Sequence, residues 1–206
     1  MKVLMLNGSP RESGNTAAAL MEMKKVFEQE GVEVEYLHVG ALPTKGCKAC
    51  AACFKLGKCV MDDDIVNSLA QKLRESDGMV IGSPVYYAAP NGAFIALLDR
   101  LFYSSRFDKR MKVGASVVVA RRGGCSAAFD QLNKYFTISG MPLAPSQYWN
   151  MVHGAMPGQA EEDGEGMQTM RTLAKNMTFL MKSIALGKEA YGLPEKEKSV
   201  WTNFIR

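Results

Sequence analysis

The sequence predicts a three-layer α/β/α domain, a five-stranded parallel sheet of order 2-1-3-4-5 with helices on both faces. Three observations lead there. Apolar runs such as Val3-Leu4-Met5-Leu6 and the valine-rich stretch 113–120 are hydrophobic on both faces, as buried parallel strands are. They alternate with helical stretches through short connections, so successive strands return in the same direction. Polar, glycine-containing turns follow the first, third and fourth runs, and in this order those three turns lie side by side beyond the carboxyl ends of the strands.

Residues 2–7 form the first strand, and residues 15–31 a helix with its apolar groups mainly on one face and Gly31 as its stop. In residues 32–39 apolar positions alternate with Glu33 and Glu35, which marks an edge strand; His38 is expected on its surface. Residues 43–61 form a cysteine-rich loop. Asp62, Asp63 and Asp64 are expected to open a helix running to residue 76, where acids suit the positive end of the dipole. A strand at 78–83, a helix at 91–103, a strand at 113–120 and a helix at 125–138 closed by Gly140 follow. A fifth strand is expected at 146–152, a loop at 154–166 and a long helix at 167–186. Its stripe of Met167, Met170, Leu173, Ala174, Met177, Leu180, Met181 and Ile184 reads as core packing. The polar tail to residue 206 carries Trp201 and Phe204, which suggest docking on the body of the chain or on a second subunit.

A length of 206 residues fits a single domain with some elaboration, and 47% hydrophobic and 22% charged residues are ordinary for a globular protein. The net charge of +4 is mild and its basic residues scattered, which gives no case for a nucleic-acid partner. There is no apolar run long enough for a transmembrane helix and no signal-peptide pattern, so a cytoplasmic location is expected. Clustered cysteines there point to metal or redox chemistry rather than to disulfides.

The turn Gly8-Ser9-Pro10-Arg11-Glu12-Ser13-Gly14-Asn15-Thr16 joins the first strand to the first helix. Backbone N–H groups that a helix cannot use internally, at the positive end of its dipole, make such a turn an anion site. Ser9, Ser13 and Thr16 add hydroxyls, Asn15 an amide and Arg11 a guanidinium, while Gly8 and Gly14 are expected to let the backbone bend. The turn lacks the lysine of a P-loop and the glycine spacing of a dinucleotide fingerprint, so a single phosphate monoester suits it best. An ordinary helix cap at Ser13 or Asn15 is the plainer alternative.

The turn after the third strand is Ser83-Pro84-Val85-Tyr86-Tyr87-Ala88-Ala89-Pro90-Asn91-Gly92, with two aromatic faces and two stiffening prolines. The turn after the fourth is Ala120-Arg121-Arg122-Gly123-Gly124; its glycines permit close approach to a planar ring and its arginines suit anionic charge. A phosphate on one side and a flat, polar-edged ring on two others is the shape of flavin mononucleotide (FMN).

Gly8-Ser9-Pro10-Arg11 with Gly14-Asn15-Thr16, and Ser83-Pro84-Val85-Tyr86-Tyr87, resemble the two signature loops of the flavodoxin-like NAD(P)H-dependent FMN reductases. The resemblance covers residues 1–155. It implies that Ser9, Arg11, Asn15 and Thr16 hold the FMN phosphate, that Pro84, Val85, Tyr86 and Tyr87 wrap the isoalloxazine, and that Gly123 and Gly124 border it. It also implies a homodimer or homotetramer that uses NAD(P)H. The chemistry would sit at flavin N5, with no side chain obliged to act as acid or base.

The run Cys47-x2-Cys50-x2-Cys53-x5-Cys59 can surround one compact metal centre. It is similar to that of the iron–sulfur flavoproteins, a branch of the same family, which implies a [4Fe–4S] cluster passing electrons to FMN. Zinc and free redox-active thiols stay open as readings of the run. Cys125, outside it, reads as a packed thiol. The function expected is electron transfer from NAD(P)H through FMN to a small-molecule or protein acceptor. A flavodoxin-type carrier and a redox-sensing metal protein are the rivals.

Overall fold

A computed structural model of the chain describes residues 1–202 and 204. Five strands run parallel in the order β2-β1-β3-β5-β6, with a short β4 antiparallel to the end of β3. They are β1 (Lys2–Asn7), β2 (Glu33–His38), β3 (Gly78–Tyr86), β4 (Ala89–Pro90), β5 (Val113–Ala120) and β6 (Met151–His153). With the β4 arm set aside, this is the order expected from the sequence, and β2 is the edge strand.

The period-two geometry of β1 divides the core. Val3 and Met5 face α1 (Asn15–Gln29) and α7 (Gly164–Tyr191), where they meet Leu20, Met23, Phe27, Met170, Leu173 and Met177. Leu4 and Leu6 face the other layer, α3 (Val66–Glu75), α4 (Gly92–Ser104) and α5 (Cys125–Ile138), and its Leu69, Leu73, Phe94, Leu98 and Phe136. The methionine stripe of α7 is core packing, with Met167, Met170, Met177 and Met181 buried. The remaining helices are short: α2 (Cys53–Leu56) in the cysteine loop and α6 (Gln159–Glu162) after β6.

Several expectations are corrected. The last strand covers only Met151–His153, because residues 146–150 bend away, held by the Ser146 hydroxyl bonded to Asn150 Oδ1 at 2.7 Å. The loop after it contains α6, and α7 starts earlier than the apolar stripe, because Asp163 caps it by accepting from the Gly166 N–H at 2.9 Å. Asp62, Asp63 and Asp64 precede α3 rather than form its first turn, and each is taken by its own basic partner, Lys58, Lys45 and Arg100 respectively. Trp201 and Phe204 are 90% and 91% exposed, so they do not dock on the body of their own chain; Asn203 and Ile205, part of the same expectation, lie outside the described residues.

The third strand runs beyond its expected end. It stays paired with β5 as far as Pro84 and then folds back as a hairpin, with Val85 opposite Pro90 and Tyr86 opposite Ala89. The turn residues Tyr87 and Ala88 have φ of 50° and 60°, the sign a type I′ turn requires and one that costs non-glycine residues energy. Asn91 then opens α4. Its side chain accepts from the Ala93 N–H at 3.2 Å and donates to the Gly8 carbonyl at 2.8 Å, while its own N–H donates to Ser83 Oγ at 2.9 Å.

Asn91→Ala removes a helix cap and orphans the buried Gly8 carbonyl. A loss of about 2–3 kcal/mol in unfolding free energy is expected, read from urea denaturation.

Candidate functional site: a strand-end rim and a cysteine loop

The turn between β1 and α1 is braced from below. Asn7, fully buried, accepts from the Ser9 N–H at 2.9 Å and donates to the Tyr36 hydroxyl at 2.9 Å. Burial pushes the Tyr36 hydroxyl above its usual range, so it stays protonated. Ser9 Oγ accepts from the Arg11 N–H at 3.1 Å. His38 is not a mere surface residue of β2: its Nε2 lies 2.7 Å from the Ser9 carbonyl, which can only accept, so the ring donates there. Gly40 passes beneath, and a Cβ on it would come within 2.2 Å of the Ser9 carbonyl oxygen. Neither Gly8 nor Gly14 has a left-handed φ; Gly8 is small because a Cβ would lie 2.2 Å from the Phe94 ring.

Helix α1 begins at Asn15 with Gly14 as its N-cap, and among the described residues no side chain caps it. The plainer reading of Ser13 or Asn15 as a cap therefore fails. The first-turn amides remain at the positive end of the dipole, next to exposed Ser13, buried Thr16 and exposed Arg11. Asn15 Oδ1 instead accepts from the Ala160 N–H at 3.3 Å, tying the turn to α6. The Ser9 and Asn15 contacts use acceptor atoms, so the hydroxyl hydrogen of Ser9 and the amide hydrogens of Asn15 are not consumed by them.

The other two expected loops meet this turn. Asn91 ties Gly8 to the hairpin, and Gly124 touches the hairpin from the far side: its φ is 90°, and a Cβ there would lie 2.8 Å from Ala88 Cα and 3.2 Å from Val85 Cγ1. Ser9, Arg11, Asn15 and Thr16, then Pro84, Val85, Tyr86 and Tyr87, then Gly123 and Gly124, thus lie on segments joined along one rim of the sheet. Tyr86 and Tyr87 point outward, Tyr87 fully exposed. Cys125, the first residue of α5, is buried, and burial pushes its thiol upward, which fits packing and not nucleophilic chemistry.

The cysteine loop lies against α4. Cys47, Cys50, Cys53 and Cys59 line one small cavity together with Arg100, although among the described residues no three His, Cys, Asp or Glu side chains converge as a metal site. The run divides into two halves. Cys53 and Cys59 are buried, while Cys47 and Cys50 are exposed on a coil where Ala49 and Ala51 have φ of 51° and 57°. Asn67 of α3 grips Cys59 by its backbone, accepting from its N–H at 3.0 Å and donating to its carbonyl at 2.9 Å.

Arg100, which lies unremarked within the helix expected at 91–103, closes this loop. It is 1% exposed, and its guanidinium donates to the Lys45 carbonyl at 3.2 Å, the Met61 carbonyl at 3.0 Å and Cys59 Sγ at 3.3 Å, and pairs with Asp64. The available signal was positional: in the apolar stretch Ala96-Leu97-Leu98-Asp99-Arg100-Leu101, Arg100 falls on the face that Leu97 and Leu101 bury. The donor set suits an iron–sulfur cluster: four thiols at one cavity with a cation beside them.

The sequence model of the NADPH-dependent FMN reductases matches residues 1–155. An iron–sulfur flavoprotein of Methanocaldococcus jannaschii is 33% identical over 196 residues, 89% of this chain and 99% of that protein. The chain belongs to the NADPH-dependent FMN reductase family, in its iron–sulfur flavoprotein branch. An iron–sulfur flavoprotein of Methanosarcina thermophila is 30% identical over 193 residues, 92% of this chain and 100% of that protein. Among solved structures, RosB with a bound 8-demethyl-8-formylriboflavin-5′-phosphate intermediate superposes with a TM-score of 0.73 at 17% identity, over 100% of this chain and 92% of that one. A flavodoxin from the domain Archaea gives 0.59 at 16% identity, over 88% and 99%. These two likenesses establish the flavodoxin-like fold, and family membership makes FMN-dependent redox chemistry the class of function. Among the described residues no helix is long and apolar enough to cross a membrane.

Gly124→Ala forces a methyl group against Ala88 at a left-handed backbone position. A loss of about 1–3 kcal/mol is expected in urea denaturation, with weaker FMN binding because the hairpin must shift.

Proposed function

We propose that the chain is an FMN-dependent oxidoreductase that takes electrons from NAD(P)H or a reduced protein donor and delivers them to a small-molecule or protein acceptor. A [4Fe–4S] cluster on Cys47, Cys50, Cys53 and Cys59 takes part, and the working unit is a homodimer or homotetramer. The observation that carries the reading is the uncapped N-terminus of α1, opening on a turn that Asn91 ties to the β3–β4 hairpin.

When bound, FMN supplies hydride and electron transfer at its ring, and the cluster supplies single-electron steps. The chain's part is placement. Ser9, Asn15, Thr16 and Arg11 hold the phosphate with hydroxyl, amide and guanidinium donors, and the first-turn amides of α1 add the dipole's positive end. Pro84, Val85, Tyr86 and Tyr87 border the ring on one side, Gly123 and Gly124 on another. Arg121 and Arg122, both exposed beside the glycine pair, offer positive charge to an anionic donor or to the reduced ring. The names of the curated relatives support the cluster, as do the four thiols that share one cavity with Arg100.

Arg11→Ala is expected to weaken FMN binding by about 1–3 kcal/mol, roughly 5- to 150-fold in Kd, in a fluorescence titration of flavin-free protein. Unchanged affinity removes Arg11 from the site. Anaerobically purified protein is expected to carry about four irons and four sulfides per chain with its flavin; flavin without iron removes the cluster. Steady-state oxidation of NAD(P)H separates an enzyme from a simple carrier, which would show almost none without a reductase.

A further inference from the structure

Arg100 does two separable things. Its bonds to the Lys45 and Met61 carbonyls pin the entry and exit of the cysteine loop to α4, a structural task. Its bond to Cys59 Sγ reaches a side chain two residues before that exit, where Asn67 already holds the Cys59 backbone. Burying a guanidinium is costly, and hydrophobic packing is often the more stable solution at such a position. Here Asp64 offsets the charge with a side chain 8% exposed, yet Arg100 Nε is still buried without a hydrogen-bond partner among the described residues. The cation is therefore held beside the thiols at a cost that closing the loop does not explain.

We propose that Arg100 is a positioning residue that sets the reduction potential of the cluster on the cysteine run, with Asp64 as its counterweight. The inference rests on the cluster reading given under Proposed function. A one-electron reduction of the cluster, by a reduced protein donor or by FMN that NAD(P)H has reduced, makes or breaks no bond at the cluster, so its equilibrium follows local charge and hydrogen bonding to the sulfurs. An N–H aimed at Cys59 Sγ and a fixed cation behind it both favour the reduced state. The charge is constant, because guanidinium does not lose its proton in proteins. Only a planar fork can meet Asp64, two carbonyls and a sulfur together; lysine would keep the charge and lose the geometry. Asp64 draws part of the field away and holds the potential below what the bare cation would impose.

The placement also couples the two halves of the molecule. Helix α4 begins at Asn91, tied to the phosphate turn, and a rise of about 1.5 Å per residue puts Arg100 about 14 Å farther along it. One rigid element thus fixes the flavin-side turn at its start and the charge beside the cysteines at its far end.

The test uses anaerobically purified full-length protein and its Arg100→Gln, Arg100→Lys and Asp64→Asn variants. Iron per chain and the cluster's midpoint potential are measured, the latter by EPR-monitored redox titration. Arg100→Gln is expected to move the potential to more negative values and Asp64→Asn to less negative ones, with Arg100→Lys between Arg100→Gln and wild type. A purely structural role loosens the loop in every variant and cannot produce shifts of opposite sign. Potentials that stay put, or that move the same way, overturn the proposal, as does loss of iron from both Arg100 variants while Asp64→Asn keeps the wild-type value. Where Arg100→Gln alone loses its iron, Arg100→Lys and Asp64→Asn decide by the signs of their shifts. Wild-type protein without iron overturns the cluster reading and this inference together; wild-type iron with unmoved potentials overturns this inference alone.

Discussion

A parallel sheet leaves its ligand-binding turns as separate loops, each anchored only at the end of its own strand, and something must hold them in one register. Asn91 does this here. One carboxamide caps α4, bonds the carbonyl of Gly8 and, through the backbone beside it, takes the hydroxyl of Ser83. The bonds to Gly8 and Ser83 are buried, so each of those two replaces a desolvation cost rather than adding a surface contact. The β1 turn, the β3–β4 hairpin and the start of α4 therefore move as one body. The His38 contact to Ser9 and the tight passage of Gly40 press on that body from the β2 side. Gly124 meets it from the β5 side.

The cysteine loop is built on a different principle. It contains one short helix and leaves the apolar side chains of Phe54, Leu56 and Val60 more than half exposed, so charge and hydrogen bonds give it shape. The cost is a buried guanidinium. Four acceptors converge on Arg100 from the two ends of the loop, Lys45 from one and Cys59, Met61 and Asp64 from the other, and Asn67 fixes Cys59 independently. Cys53 and Cys59 are therefore held in place, while Cys47 and Cys50 ride on an exposed coil. A loop with one buried and one exposed pair of thiols can take a bulky centre on its outer side, away from the core beneath it.

Much of this was legible in the order of residues. The doubly covered strands, the alternation with helices and the methionine stripe of α7 are periodic signals, and periodicity survives without knowledge of contacts. The spacing of the four cysteines and the composition of the β1 turn are local as well. Signals failed where a local pattern had two physical uses. The acids Asp62, Asp63 and Asp64 suit a helix N-terminus, but separate cations claimed them. The two prolines around Val85 read as loop punctuation, but Pro84 sits where β3 still pairs with β5, and the chain turns only at Tyr87 and Ala88. The expected strand at 146–152 had the right composition and no partner along most of its length.

Sequence by itself determined the layer architecture, the strand order, the family and the thirteen-residue frame of the cysteines, because each depends on periodicity, on spacing or on residues adjacent in the chain. Tertiary structure alone decided which side chains knit these parts together. Asn91 on Gly8, His38 on Ser9 and Arg100 on Cys59 are bonds between residues 83, 29 and 41 positions apart. Their partners carry no mark in the sequence, since a buried hydrogen bond depends on where two segments meet after the core has closed.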